Sequence, residues 1–188
     1  MKVLVPLANG AEEMEAVIVI DTLRRAGWQV VAASIHDEVV NCSRGVRLVA
    51  DKLWSDVKPD AFDIIVLPGG AEGTRALMSH HGVIETIRAH AGAGRTVAAI
   101  CAAPLVLQSA GLLAGRRATC HPAVRNELRD PELVDADVVV DGCIVTGRGP
   151  GTALEFALAL IGLCGGPELR SRVAYGMAVP QNDGRCNR

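Results

Sequence analysis

Aromatic side chains are scarce in this chain, at 3% of its residues, and neither sign of charge prevails, the net charge being −2. Nucleic-acid binding rests on a basic stripe with interleaved aromatics, so sequence-specific nucleic-acid recognition is excluded as the main function. No run of eighteen apolar residues occurs, and VLVPLA, after Met1 and Lys2, is too short for a signal peptide or a membrane span. The expected location is therefore the cytoplasm, without membrane attachment. The metal-ligand spacings CxxC and HExxH are missing, and so is the phosphate-cradling GxxxxGKS/T. Cys101, Cys120 and His121 could sketch a metal site, but a fourth ligand is not identifiable, and no metal is expected. Internal repeats and low-complexity segments are absent as well.

What is present suits one packed domain. Apolar residues make up 49% of 188, enough for a sizeable core, and a single domain is expected over 1–178 with a disordered tail over 179–188. The six cysteines, at 42, 101, 120, 143, 164 and 186, are widely spaced and follow no secretory signal, so reduced thiols are expected.

In chain order, Lys2 to Leu7 reads as a buried strand. A helix follows, with Glu12 and Glu13 in its acidic first turn, Arg24 and Arg25 in its last, Gly27 as the stop, and Ala16, Val19, Ile20 and Leu23 facing inward. WQVVAAS is the second strand, and this β-α-β start predicts a right-handed crossover and a parallel sheet. Ile35 to Ala50 carries two short strands around CSRG, and Asp51 to Asp60 reads as a polar connection. FDIIVLPGG is a strand whose closing glycines either let backbone N–H groups approach a ligand or simply form a tight turn before a helix at Thr74 to Met78. GVIETIRAHAGAG is helical; ATCHP ends a short strand, with Pro122 opening a helical turn. ADVVVDGCIVTG predicts two strands joined at Asp141 and Gly142, a helix follows between Pro150 and Gly165, and PELRSRVAYGM is the last helix. Alternating strands and helices predict an α/β three-layer sandwich with a mostly parallel sheet.

The most informative stretch is Arg95 to Leu113. RTVAAI has a strand pattern, CAAPLVLQSAGLL a helical one, and Cys101 sits at the junction. The junction is similar to a nucleophile elbow, where a sharp turn lifts a reactive side chain above the sheet and orphan N–H groups favour its thiolate. The plainer alternative is a cysteine packed as a small hydrophobe.

Taken together, GAEEMEAV, LRRAG, CSRG, VLPGG, AAICAAP, CHP and RGPGT with EFALA resemble the ThiJ/PfpI superfamily, in the branch of the parkinsonism-associated protein deglycase and its bacterial homologues. They fall in family order over about Lys2 to Met177. The resemblance implies a flavodoxin-like homodimer with Cys101 as nucleophile, Glu15 beside it and His121 as the third member. Spacing alone does not single out Glu15 among the acids of its turn, and His121 by itself reads equally as a loop histidine. Gly70 and Ala102 would offer oxyanion N–H groups, while Arg25, Arg44 and Arg148 become pocket or dimer-interface candidates.

Departures from the family pattern are instructive. Ala103 stands where a glycine is usual, and Gly147 where a serine is, so the hydroxyl the resemblance places near the pocket is missing. Ala102 replaces the histidine of the peptidase branch, and no acid lies two positions after His121, which argues against amide hydrolysis. The implied activity needs no cofactor: conversion of α-oxoaldehydes such as methylglyoxal to hydroxy acids, or removal of their adducts from proteins and nucleotides. A redox-sensing holdase chaperone that uses oxidation of Cys101 is the alternative.

Overall fold

A computed structural model describes residues 1–180; the tail expected over 179–188 falls, from 181 onward, outside the described residues. The chain runs β1 (Lys2–Leu7), α1 (Glu13–Arg25), β2 (Gln29–Ser34), β3 (Val39–Asn41), β4 (Arg47–Val49), β5 (Lys52–Leu53), β6 (Ile64–Leu67), α2 (Ala71–Ser79) and α3 (His81–Gly92). It continues with β7 (Thr96–Ile100), α4 (Pro104–Ser109), β8 (Arg117–Ala118), β9 (Glu132–Leu133), β10 (Val138–Asp141), β11 (Ile144–Gly147), α5 (Ala153–Gly165) and α6 (Pro167–Gly176). Seven strands form the central sheet in the order β10-β11-β7-β6-β1-β2-β5, parallel throughout except for β10.

Strand period two sorts the apolar side chains into two cores, as expected for a sheet covered on both faces. Val3, Val5, Leu7, Ile64, Val66, Ala98 and Ile100 meet Ala16, Val19 and Leu23 of α1 and Phe156, Leu160 and Ile161 of α5. Leu4, Ile65, Leu67, Val97 and Ala99 face the other way, toward Leu77 of α2, Val83 and Ile87 of α3 and Leu107 of α4. The result is the α/β sandwich expected from the alternation of elements. β1, β6 and β7 end on the same side, so the loops after Leu7, Leu67 and Ile100 converge beyond their carboxyl ends.

Several local expectations need correction. α2 starts at Ala71, directly after Gly70, not at Thr74. α4 is short: its cap is Ala110, and Gly111 (φ 71°) turns the chain away, leaving Leu112 and Leu113 beyond the helix. The connection from Asp51 to Asp60 contains β5, which extends the sheet beside Ala33 and Ser34. Ile20 is only half-buried, because it lines a cleft between α1 and the β3–β4 hairpin. β10 and β11 are joined through Gly142 and Cys143, one residue later than read from the sequence. Among the described residues Cys42, Cys101, Cys120, Cys143 and Cys164 are free thiols, and no helix is long and apolar enough to cross a membrane.

Candidate active site

β7 delivers Cys101 to the end of the sheet, and the chain must turn sharply there to enter α4. Cys101 does so at φ 66°, in the left-handed region. For a residue with a Cβ this conformation costs about 1–2 kcal/mol. The turn is held by main-chain bonds: the Cys101 N–H donates to Gly147 O (2.9 Å), and the Cys101 carbonyl accepts from the His121 N–H (2.9 Å). With its own N–H engaged, the elbow offers the next one, from Ala102. That group and the Gly70 N–H both act on the Cys101 sulfur and favour its charged form.

α1 brings Glu15 to the same place from the opposite side. Glu15 is 0% exposed, and its Oε2 accepts from the Gly69 N–H at 2.7 Å. Its Oε1 is buried with no hydrogen-bond partner of good geometry, and the Cys101 thiol is the polar side chain acting on this carboxyl. Gly69 is the spacer between the two: a Cβ there would lie 2.7 Å from the Cys101 Cβ and 2.8 Å from Glu15 Oε2. The sequence points to both closing glycines of the PGG string as N–H donors and names Gly70 for the oxyanion; the structure gives the Gly69 N–H to the Glu15 carboxyl instead.

Burial, against the Gly69 and Cys101 hydrogen bonds and with help from the Glu12 charge, pushes the Glu15 carboxyl up to about 7. The Cys101 thiol is also raised: burial comes first, then the charge of an ionised Glu15 and its hydrogen bond, against the Gly70 and Ala102 N–H groups. The sequence predicts a thiolate favoured by its position before a helix; burial outweighs that, and Cys101 as a residue is only 9% exposed. The two groups are coupled: the thiol's hydrogen bond favours the ionised Glu15 carboxylate, and the ionised carboxylate in turn makes the thiol harder to ionise.

The remaining predicted residues are less close to the sulfur's immediate surroundings. His121 touches the elbow through its main chain, while its ring Nδ1 accepts from the Ala123 N–H (3.2 Å), leaving Nε2 as the outward nitrogen. Arg25 pairs with Asp21 (2.7 Å) on the exposed side of α1. The exposed Arg44 donates its main-chain N–H to Glu13 Oε1 (2.8 Å). Arg148 pairs with Asp135 (2.9 Å) and lines a cavity of about 240 Å³ with Thr119, Cys120, Pro122 and Arg125. Gly147 faces inward: a Cβ would lie 2.7 Å from Phe156 and 2.9 Å from Ile100, so a serine there would press on two fully buried side chains.

Residues 1–163 match the DJ-1/PfpI family. The chain belongs to that family. It is 44% identical over 162 residues to Protein DJ-1 homolog B of Arabidopsis thaliana, which takes in 85% of this chain but spans only 37% of the plant protein's length. A Caenorhabditis elegans member named Glutathione-independent glyoxalase DJR-1.2 is 39% identical over 160 residues, covering 84% of this chain and 85% of that one. The crystal structure of Drosophila melanogaster DJ-1beta superposes with a TM-score of 0.92 at 42% identity, over 96% of this chain and 98% of the other. As a DJ-1/PfpI family member the chain shares its sandwich with these relatives; the site chemistry must be argued from its own side chains.

Proposed function

We propose that this DJ-1/PfpI family member is a cofactor-independent enzyme that converts small α-oxoaldehydes to α-hydroxy acids. The observation that carries the reading is a buried carboxyl with its pKa raised to about 7, placed against a cysteine sulfur on which two backbone N–H groups act. The worm relative's name adds support for the same chemistry.

A carboxyl that titrates near neutrality can both take and give a proton at physiological pH. As the Cys101 sulfur attacks the aldehyde carbon, its proton passes to Glu15, and the carbonyl oxygen is held by the Gly70 and Ala102 N–H groups. Glu15 returns the proton to that oxygen, giving a hemithioacetal. It then removes the hydrogen of the former aldehyde carbon as a proton, leaving an enediolate; the hydroxyl proton passes from the first oxygen to the second, and Glu15 returns its proton to the neighbouring carbon, giving the thioester of the hydroxy acid. Water cleaves the thioester and restores the thiol, so that methylglyoxal plus water becomes lactate. The outward Nε2 of His121 is assigned to orienting that water or the substrate hydroxyl.

Cys101 is only 9% exposed, which favours small free aldehydes over adducts on protein side chains, with adducts on small molecules such as nucleotides as secondary substrates. The N–H groups acting on the sulfur would also suit an oxygen of an oxidised cysteine, which supports a second reading as a redox-responsive holdase. The two separate in one experiment. Lactate formation from methylglyoxal, without glutathione or added metal, is expected for the native chain and is expected to vanish in Cys101→Ala and fall at least about 100-fold in Glu15→Gln. Client protection that depends on peroxide treatment, with no lactate formed, would instead establish the holdase.

The homodimer is proposed on the same footing. Met14 and Val17 on α1 are 54% and 46% exposed, and Val49 on the hairpin is 74% exposed. Val17 and Val49 also line one cleft of about 270 Å³. An apolar face of this kind is costly in water and suits a second copy.

A further inference from the structure

The cap and first turn of α1 together carry three acids within four residues, and the structure gives each a different partner. Glu15 faces the thiol. Glu13 reaches across to the CSRG segment, accepting from the Ser43 hydroxyl (2.9 Å) and the Arg44 N–H (2.8 Å). Glu12 precedes the helix, and its Oε2 accepts the Glu15 N–H at 2.7 Å.

Two further bonds turn that cap into a closed circuit. The Glu12 N–H donates to the Gly69 carbonyl (3.0 Å), and the Gly69 N–H donates to Glu15 Oε2 (2.7 Å). Gly70 leaves the room this needs, since a Cβ there would lie 2.7 Å from the Glu12 nitrogen. Glu12, Gly69 and Glu15 therefore form a ring of three hydrogen bonds that spans the start of α1 and the end of β6. Each bond fixes a group that the next one uses. Capping alone would require only the first of them.

We propose that Glu12 is a positioning residue for the Glu15–Cys101 pair, closing this ring so that the buried Glu15 carboxyl cannot turn away from the sulfur and placing a fixed negative charge behind it. The inference deepens the reading above and rests on Glu15 serving Cys101. The groups acting on the Glu15 carboxyl are Gly69 from the β6 loop, Cys101 from the elbow and Glu12 from its own helix start. Among these, Glu12 is the fixed charge, and like charge favours the protonated carboxyl. Glu12 is itself half-buried, so water screens it only in part.

Glutamine separates the two contributions, because it keeps an oxygen to accept the Glu15 N–H but carries no charge. The test follows the Glu15 carboxyl by carbon NMR of glutamate-labelled protein, with its signal identified by its loss in Glu15→Gln. Glu12→Gln is expected to lower the Glu15 midpoint by roughly half a pH unit to one pH unit and to move the acidic limb of the methylglyoxal pH profile with it. Glu12→Ala is expected to lower the midpoint similarly and to reduce plateau turnover several-fold below Glu12→Gln, because the ring is then open. An unmoved midpoint in Glu12→Gln would overturn the proposal, as would Ala and Gln variants with equal plateau turnover. The titration needs no turnover, so a chain inert toward methylglyoxal whose midpoint still moves would defeat the functional reading while upholding the electrostatic half of this one.

Discussion

Glu15 is a fully buried carboxyl, and its titration has a consequence for stability. Its carboxyl rises from 4.5 to about 7 on folding. A raised acid binds its proton more tightly in the native state, so its stabilising contribution is complete below pH 4.5 and is lost as pH climbs through about 7. The native chain should therefore lose on the order of 2–3 kcal/mol across that window from this group alone. Glu15→Gln should remove that component, and urea midpoints at pH 5 and pH 8 should lie closer together in the variant. An equal pH dependence in the two proteins would mean that the carboxyl ionises normally. At the same scale, Cys42 is a contrasting thiol: burial and then the Glu13 and Glu12 charges push it up to about 11, and it has no acid disposed as a proton partner.

Among the elements, the β3–β4 hairpin depends on a residue far away in sequence. Glu13 is buried, which opposes its charge, yet hydrogen bonds from its own N–H, Ser43, Arg44 and Val46 outweigh burial and hold the carboxyl below its usual range. The hairpin is also joined to β1's loop by the Gly10 N–H to the Asn41 carbonyl (2.7 Å), the Asn41 N–H to Asn9 Oδ1 (2.9 Å) and the Ser43 N–H to the Ala11 carbonyl (2.8 Å). Glu13→Ala should cost about 2 kcal/mol, since hydrogen bonds to a charged acceptor are lost inside the protein. It should also speed tryptic cleavage after Arg44 or Arg47, both exposed. Unchanged cleavage and an unchanged urea midpoint would show that the hairpin is held without Glu13. The same helix start thus meets three partners: Glu15 the Gly69 N–H, Glu12 the Glu15 N–H and Glu13 the neighbouring hairpin.

For the whole molecule, the exposed apolar residues of α1 and the hairpin predict self-association. Val49→Asp places a charge where Val49 and Val17 line one cleft, and it should convert a dimer to a monomer in light scattering at concentrations where the native chain is paired. A native chain that is monomeric at millimolar concentration would remove the dimer from the picture. The sheet itself should be indifferent to this change, because both of its cores are closed within one chain.

The sequence by itself determined the alternation of strands and helices, the parallel sheet and the cysteine at a strand-to-helix turn, because these follow from local periodicity and from glycine and proline. It did not reveal the contact of Gly69 with Glu15 or the separate partners of Glu12, Glu13 and Glu15. Each of these depends on contacts between segments tens of residues apart: Gly69 and Glu15 meet across 54 positions, and Glu13 and Arg44 across 31. Only the tertiary structure decided that Cys101 is held back by burial, since the cost of ionising a group depends on how much water is left around it. Motif resemblance could bring Cys101 and Glu15 to mind together. That they are buried together and influence each other's ionisation is a property of the packed sheet edge, where three chain segments exclude solvent at once.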